Sequence, residues 1–403
     1  MADANAARLD LAELLAAVEA APPVDAADVV GAALADALGA CDVSFLITDF
    51  SGRKLVRLGH RGSEAADQTK GRETGEHVLL AGSAYGRVLV EQAVAVEEDD
   101  DGARLLAPVT HRGEAIGVLE VHLAAAPDEQ AMADVALAAH ALAYVVIANR
   151  GITDLFEWGR RSIPLTLAAE IQHRLLPDAF TLEAGQFTLA AWLEPAGQVG
   201  GDTFDFAAER DTLHLSLTDA MGHMVNAAVL ATVFVGALRN ARRRGVGLVE
   251  QVRTANQRLG DFTQTGGFVT GQVVRVDLAQ ASMTLVNAGH PPPLRLRDGR
   301  VERLPLQADP PFGTVGDPEY RVQETLLEPG DRLLFVTDGM LERTAASVDV
   351  EALVLEGAQM HPREAVQQII HAVLEATEGK LEDDATALCL DWHGAPPAAN
   401  AAR

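Results

Sequence analysis

Cysteine is almost absent from this chain of 403 residues: only Cys41 and Cys389 are present, far apart and in apolar surroundings. Two distant cysteines cannot form a disulfide framework, and no CxxC pair is available as a zinc site. So little cysteine is typical of a reducing compartment. We therefore expect a cytoplasmic protein and exclude the disulfide-rich secreted class.

Basic and aromatic residues are also scarce. Lys and Arg number 32 against 58 Asp and Glu, which gives a formal charge of −26, and aromatic residues make up 4% of the chain. A surface this acidic repels phosphate backbones and anionic lipids, so we expect neither nucleic acid nor a membrane surface as a partner. The carboxylates can instead hold hard cations. Because 48% of the residues are hydrophobic, the chain can still bury a large core.

Long hydrophobic runs are missing as well. The longest, 135–148, includes His140 and is shorter than the ~20 residues that a membrane-spanning helix needs. The first residues include charged side chains and lack the apolar stretch of a signal peptide. The sequence thus predicts a soluble, intracellular protein.

The first 150 residues have the pattern of a compact α+β domain. Helical spacing at 9–20 and 26–38 precedes a series of strand-like segments. Asp128 opens a long helix to about Arg150, and the pattern allows a continuation through 151–176 with a break at Pro164. The predicted strands are 43–50, 54–62, 85–90, 104–111 and 115–123.

The hairpin RLLAPVTHRGEAIGVLEVHL and the closing helix PDEQAMADVALAAHALAYVVIAN resemble those of a GAF domain. The resemblance implies a sensor whose ligand the sequence does not identify, and a purely structural dimerisation module is the alternative. The acidic run 97–102 does not fit an EF-hand, because Pro108 stands where the bidentate Glu is needed. We expect this run to be a solvated loop between strands.

The second half predicts another α+β domain, with five polar motifs beside glycines or at strand ends. A buried strand that delivers a carboxylate to its tip is costly unless that charge is paired or metal-bound. If the fold gathers these carboxylates, all-oxygen ligands favour Mg²⁺ or Mn²⁺ over zinc. The motifs are GQVGGDTFDF (197–206), LSLTDAMGH (215–223), VNAGHPPP (286–293), LLFVTDGM (333–340) and LEDDATALCL (381–390).

These motifs resemble, in order, the VGGD, DxxGH, NAGH, TDG and DDxT blocks of the SpoIIE-type serine phosphatases, within the type 2C-like superfamily. The preceding segment EIQHRLLP resembles the regulatory entry helix of that family, so the resemblance covers roughly 165–392. It implies a β-sandwich flanked by helices and two Mn²⁺ or Mg²⁺ ions. It also implies direct attack of a metal-activated water on the phosphorus of phosphoserine or phosphothreonine.

The resemblance also implies a role for individual residues. The Ala220 carbonyl is a further candidate metal ligand, and His223 is a candidate proton donor or supporting residue. Asp384 competes with Asp383, because the motif does not separate adjacent aspartates. The residues implied to be both metal-binding and catalytic are Asp202, Asp219, Asp338 and Asp383.

Other residues near the motifs have blander interpretations. Asp205 caps a turn or supports the site, and His290 is interpreted as structural. The arginines at 239 and 242–244 suit the C-terminal end of a helix dipole better than a docking surface. Met224 stands where the family has a glycine, which alters the loop expected beside the second metal.

The sequence therefore predicts a signal-regulated phosphatase that acts on a phosphorylated anti-sigma-factor antagonist in a bacterial partner-switching pathway. Apolar residues in the linker favour a homodimer. The alternative is a weak or inactive phosphatase-like module that binds and sequesters a regulatory partner. The predicted divisions are an N-terminal helix (1–23), a GAF-like domain (24–150), a helical linker (151–178), the phosphatase domain (179–393) and a disordered tail (394–403).

Overall fold

The chain folds as two compact units, Met1–Pro164 and Leu165–Arg403. Both combine helices with antiparallel sheet, so the expected mixed architecture of helices and strands is confirmed. The predicted tail lies outside the described residues from position 395 onward. The computed structural model describes residues 9–61, 76–99, 102–161, 165–196, 200–222, 224–263, 267–314, 318–341 and 345–394.

The first unit is built around one antiparallel sheet. Its described elements are α1 (Leu11–Ala20), α2 (Ala26–Leu38), β1 (Asp42–Thr48), β2 (Lys54–Arg61), β3 (His77–Leu79), α3 (Ala84–Glu91), β4 (Ala95–Asp99), β5 (Gly102–His111), β6 (Glu114–Leu123), α4 (Glu129–Asn149) and α5 (Leu155–Arg160). The six strands lie in the order β3-β2-β1-β6-β5-β4. Because successive strand residues face opposite sides, β1 packs Phe45 and Ile47 against α1, α2, α4 and α5, and Leu46 against α3.

Two sequence predictions in this unit are wrong. The segment 85–90, expected as a strand, lies in α3: Ser83 accepts a hydrogen bond from the Gly86 amide and caps that helix. The acidic run expected as a loop begins within β4, an edge strand that pairs with β5. Its residues 100 and 101 lie outside the described residues.

The long helix α4 is also shorter than the sequence pattern allowed. It starts at the Asp128 cap, whose Oδ1 accepts from the Ala131 amide at 2.7 Å, and ends at Asn149. α5 follows as a separate helix. By length and composition α4 alone among the described helices could cross a membrane, but half of its most apolar window is buried within the unit.

The second unit is a four-layered arrangement of two sheets between helices. Its described elements are α6 (Leu167–Leu175), β7 (Thr181–Glu183), β8 (Phe187–Glu194), β9 (Asp202–Ala208), β10 (Thr212–Ala220), α7 (Val225–Arg243), α8 (Leu248–Phe262), β11 (Val269–Asp277), β12 (Ser282–Ala288), β13 (Leu294–Arg297), β14 (Arg300–Arg303), β15 (Gln323–Leu326), β16 (Arg332–Val336), α9 (Val350–Glu356), α10 (Pro362–Ala376) and β17 (Ala385–Trp392).

One sheet has the order β15-β12-β11-β10-β9 and the other β14-β13-β16-β17-β8-β7. Their facing sides bury Phe204, Leu217 and Val274 from the first sheet against Phe335 and Leu388 from the second. α7 and α8 cover the outside of the first sheet, and α9 and α10 cover the outside of the second. This is the helix-flanked sandwich that the sequence predicts.

Candidate active site

The polar motifs meet at one end of the sandwich interior. Asp202 opens β9, and its cross-strand partner on β10 is Asp219. Residues two apart on a strand share a face, so Asp219 points to the same side as Leu217, into the space between the sheets. Directly opposite side chains have Cβ atoms only about 4.5–5.5 Å apart. Two carboxylates therefore lie side by side at this end of the first sheet.

Asp202 is bound to the second sheet through two hydroxyl groups. Its carboxylate is 2% exposed, and its Oδ2 accepts from Thr337 Oγ1 at 2.8 Å and from Thr386 Oγ1 at 2.5 Å. Thr337 directly follows β16 and Thr386 lies in β17. Burial raises the pKa of Asp202 well above its ordinary value, and the nearby charges of Asp219 and Asp384 raise it further. The two hydroxyls act in the opposite direction.

Asp384 uses both carboxylate oxygens to join three segments. Oδ1 accepts from the Ala196 amide at 2.8 Å, and Oδ2 accepts from Gln172 Nε2 at 2.6 Å and from the Asp202 amide at 3.4 Å. Burial raises the pKa of Asp384, while these hydrogen bonds lower it. Gln172 Nε2 also donates to the Asp202 carbonyl at 2.8 Å, so α6 is bound directly to the acidic end of the sandwich.

The neighbouring carboxylates are more open. Asp383 is half-buried, and its Oδ1 accepts from the Asp384 amide at 2.8 Å. Asp338 is exposed and begins a single helical turn, Asp338–Met340, after β16. An added Cβ on Gly339 would lie 2.1 Å from the Asp384 carbonyl oxygen. Only glycine permits this approach, which brings the TDG and DDAT motifs into contact.

A second close approach joins the first two motifs. A Cβ on Gly201 would lie 2.6 Å from the Ala220 carbonyl oxygen and 2.8 Å from Asp219 Oδ1. The Ala220 carbonyl therefore faces the same corner as the Asp219 carboxylate. The following turn is unusual, since Met224 has φ +56° and is 54% exposed. His223 and the start of the GQVGG motif at 197–199 lie outside the described residues.

The donor chemistry of this corner fits a hard divalent cation. Buried carboxylates that repel one another, together with a main-chain carbonyl, are the oxygen ligands that Mg²⁺ and Mn²⁺ prefer. No three His, Cys, Asp or Glu side chains within the described ranges already have the spacing of a metal cluster. The corner therefore gathers suitable groups without forming a finished cage, and the ligand assignments stay predictions.

Two supporting features escaped the sequence analysis. Gln172 has its partner Asp384 more than two hundred positions away, which no local pattern reveals. Arg239 and Arg242 bind Asp205, with Nη atoms 2.8 and 2.9 Å from its carboxylate oxygens. Arg239 also donates to the Leu175 carbonyl at 2.6 Å. These arginines therefore connect α7 with β9 and the end of α6, a role beyond the expected balance of a helix dipole.

Comparison with known proteins identifies the same half of the chain. Residues 209–393 match the family described as Stage II sporulation protein E (SpoIIE). Phosphoserine phosphatase RsbP of Bacillus subtilis is 24% identical over 187 residues, 45% of this chain and 46% of that protein. Phosphoserine phosphatase RsbU of the same species is 23% identical over 236 residues, 56% of this chain and 69% of that protein. The chain thus spans less than half of RsbP and about two thirds of RsbU.

Two solved structures are also similar to the C-terminal part. The SiaA-PP2C domain of Pseudomonas aeruginosa aligns with a TM-score of 0.47 and 20% identity, over 61% of this chain and 98% of that one. The PP2C phosphatase domain of SpoIIE from Bacillus subtilis, with a fragment of its regulatory domain, aligns with a TM-score of 0.46 and 21% identity. That match covers 53% of this chain and 66% of the other.

Proposed function

We propose, from the premise that the C-terminal unit carries a phosphatase domain of the SpoIIE type, that this chain is a metal-dependent protein serine/threonine phosphatase. One observation carries the proposal. Asp202 and Asp219 are cross-strand neighbours, and the charges of Asp219 and Asp384 both raise the pKa of Asp202. Concentrated negative charge at the end of a rigid sandwich is what a cation-dependent phosphoryl-transfer site requires.

The residues proposed to hold two Mn²⁺ or Mg²⁺ ions are Asp202, Asp219, Asp338 and Asp383, with the carbonyl of Ala220. When bound, such ions supply the positive charge that lowers the pKa of a water and holds phosphoryl oxygens. The chain itself contributes orientation: the hydroxyls of Thr337 and Thr386 fix one oxygen of Asp202. His223 stays a candidate proton donor to the leaving seryl oxygen.

Between the adjacent aspartates, we propose Asp383 as the ligand and Asp384 as a positioning residue. Both oxygens of Asp384 already accept hydrogen bonds from protein groups, and the side chain is 1% exposed. Asp383 is half-buried and lies against the turn that carries Asp338. The Asp384 oxygens are less available to an ion because they already accept hydrogen bonds from the surrounding segments, whereas Asp383 is more exposed to solvent.

The proposed substrate is phosphoserine or phosphothreonine on a protein of the anti-sigma-factor-antagonist type. The relatives RsbU and RsbP are named phosphoserine phosphatases, which supports the chemical class. We propose that the first unit is a GAF-like sensor acting through residues 151–178, and that the protein is a cytoplasmic homodimer. The ligand of the sensor, and the divisions at 1–23, 24–150 and 179–393, belong to the same proposal.

The test is hydrolysis of p-nitrophenyl phosphate by the full chain with Mn²⁺, Mg²⁺ or EDTA. Activity should require metal, and Asp338→Asn should reduce it by more than the about 100-fold that loss of a supporting residue can produce. Asp211→Asn is the matched control, because Asp211 is exposed and directly precedes the first residue of β10, at the end of the strand opposite Asp219. It should keep wild-type activity.

The other outcomes separate the alternatives. Metal binding by calorimetry without turnover would point to an enzyme held inactive or one that needs its protein substrate. Neither binding nor turnover would refute the phosphatase proposal and favour the module that sequesters a partner. The positive φ of Met224, in the turn after Asp219, is the feature that keeps this alternative open.

A further inference from the structure

The NAGH motif forms a rigid turn beside the acidic corner, the end of the sandwich where Asp202, Asp219 and Asp384 cluster. The His290 amide donates to Asn287 Oδ1 at 3.0 Å, and Asn287 Nδ2 donates back to the His290 carbonyl at 3.0 Å. Gln272 Nε2 fixes the next residue by donating to the Pro291 carbonyl at 2.7 Å. Gly289, with φ +79°, turns the chain back over β11, where an added Cβ would lie 3.5 Å from Thr270 Cγ2.

This turn places the imidazole of His290 next to the hydroxyl of Thr270. His290 is 4% exposed, and its Nδ1 lies 3.2 Å from Thr270 Oγ1. Thr270 is the cross-strand partner of Asp219 on the side opposite Asp202. Asp202, Asp219 and Thr270 thus form one row across β9, β10 and β11, on the face that points between the sheets. Neighbours in such a row have Cβ atoms about 4.5–5.5 Å apart, within reach of a hydroxyl and a carboxylate.

The position of the imidazole hydrogen follows from burial. Burial lowers the pKa of His290 to about 4, so the ring is neutral at neutral pH and carries one N–H. Nε2 is buried and has no hydrogen-bond partner among the described residues. A buried N–H without an acceptor is rarer and costlier than an acceptor without a donor. The hydrogen therefore belongs on Nδ1, where Thr270 Oγ1 accepts it and keeps its own hydrogen for another acceptor.

We infer that His290 is a positioning residue that acts on Asp219 through Thr270. The imidazole directs the Thr270 hydroxyl hydrogen to the Asp219 carboxylate, so that one oxygen is held and the other is presented to a metal ion. This inference rests on the proposed function, in which Asp219 is a metal ligand. Partners behind a ligand commonly fix its orientation, and their loss costs about 10–100-fold in metal affinity.

The experiment measures Mn²⁺ affinity of the full chain by calorimetry, a readout independent of turnover. Thr270→Val and His290→Phe each remove the link from one end, and each should weaken Mn²⁺ binding about 10-fold. The double variant should bind no more weakly than either single one, because both substitutions break the same chain of hydrogen bonds. Thr270→Ser keeps the hydroxyl and should restore most of the affinity.

Thr218→Val is the matched control. Thr218 precedes Asp219 but faces the helix side of the sheet, where its Oγ1 lies 2.6 Å from Thr203 Oγ1. It loses a buried hydroxyl of the same kind, and its Mn²⁺ affinity should match that of the wild type. Circular dichroism melting establishes which variants fold, and either single variant that folds tests the link from its own end.

The inference is overturned if Thr270→Val and His290→Phe bind Mn²⁺ as tightly as Thr218→Val, or if their losses multiply in the double variant. In either case a wild type that binds Mn²⁺ and hydrolyses p-nitrophenyl phosphate leaves the proposed function intact. A wild type that does neither refutes the proposed function, and the role of His290 falls with it.

Discussion

The stability of the second unit should depend on pH through His290. The side chain is 4% exposed, and burial lowers its pKa from 6.5 to about 4. The unfolded chain therefore takes up a proton in a range where the folded chain does not. Protons then favour unfolding, so the contribution is complete above pH 6.5 and is lost progressively as the pH falls toward 4.

The size of the effect follows from the two pKa values. One unit of pKa difference corresponds to about 1.4 kcal/mol. With values of 6.5 and about 4, lowering the pH from about 7.5 to 5 should reduce the free energy of unfolding by about 2 kcal/mol through His290. His290→Phe removes this titration, so its stability should fall by about 2 kcal/mol less than that of the wild type over the same interval.

The assay is urea unfolding followed by tryptophan fluorescence in EDTA. Trp192 and Trp392 lie in the second unit, so a Trp158→Phe background makes the signal specific for it. The matched control is His371→Phe, because the His371 side chain is 63% exposed and its replacement removes a histidine from the same unit without opening a buried site. Parallel pH dependence of the wild type and His290→Phe would refute the reasoning, since the buried imidazole would then titrate as in the unfolded chain.

Two substitutions test the contacts that assemble the acidic corner. Gln172→Ala leaves Asp384 without its 2.6 Å donor and should lower the free energy of unfolding by about 2–4 kcal/mol. Gln257→Ala is the control, because Gln257 is exposed on α8, and it should change the free energy of unfolding little. Equal effects of the two substitutions in urea unfolding would contradict the contact between Gln172 and Asp384. Gly339→Ala places a Cβ 2.1 Å from a main-chain oxygen and should abolish metal-dependent hydrolysis of p-nitrophenyl phosphate. Gly260→Ala has open space and should retain activity, so an active Gly339→Ala enzyme would show that the two motifs are not in contact.

The sequence predicted most elements of the fold because their periodicity is strong. The helix predicted at 26–38 is α2, and the strand predicted at 115–123 lies in β6. The failure at 85–90 has a physical cause, since Val88 and Val90 favour a strand locally. Tertiary packing decides otherwise, because the spacing of Tyr85, Val88 and Leu89 fits one face of a helix against the sheet.

The candidate site was predictable as a list of motifs but not as a set of roles. The DTFDF segment, which follows Gly200 and Gly201, lies in strand β9, whose alternation turns Asp202 and Phe204 to the same interior face. Asp383 and Asp384 are indistinguishable in the sequence, and only burial and hydrogen bonds separate them. The two threonines that bind Asp202 belong to the TDG and DDAT motifs. The motifs therefore mark these threonines in the sequence but do not reveal that Asp202 is their hydrogen-bond partner.

The hydroxyl groups that join Asp202 to the second sheet also have a consequence for synthesis on the ribosome. β17 lies between β16 and β8 in the interior of its sheet, and it carries Thr386 two positions after Asp384. A nascent chain that has exposed only as far as β9 and β10 still lacks both hydroxyl donors to Asp202 and the middle strand of the second sheet. The acidic corner can therefore be completed only after residues 383–392 have left the exit tunnel.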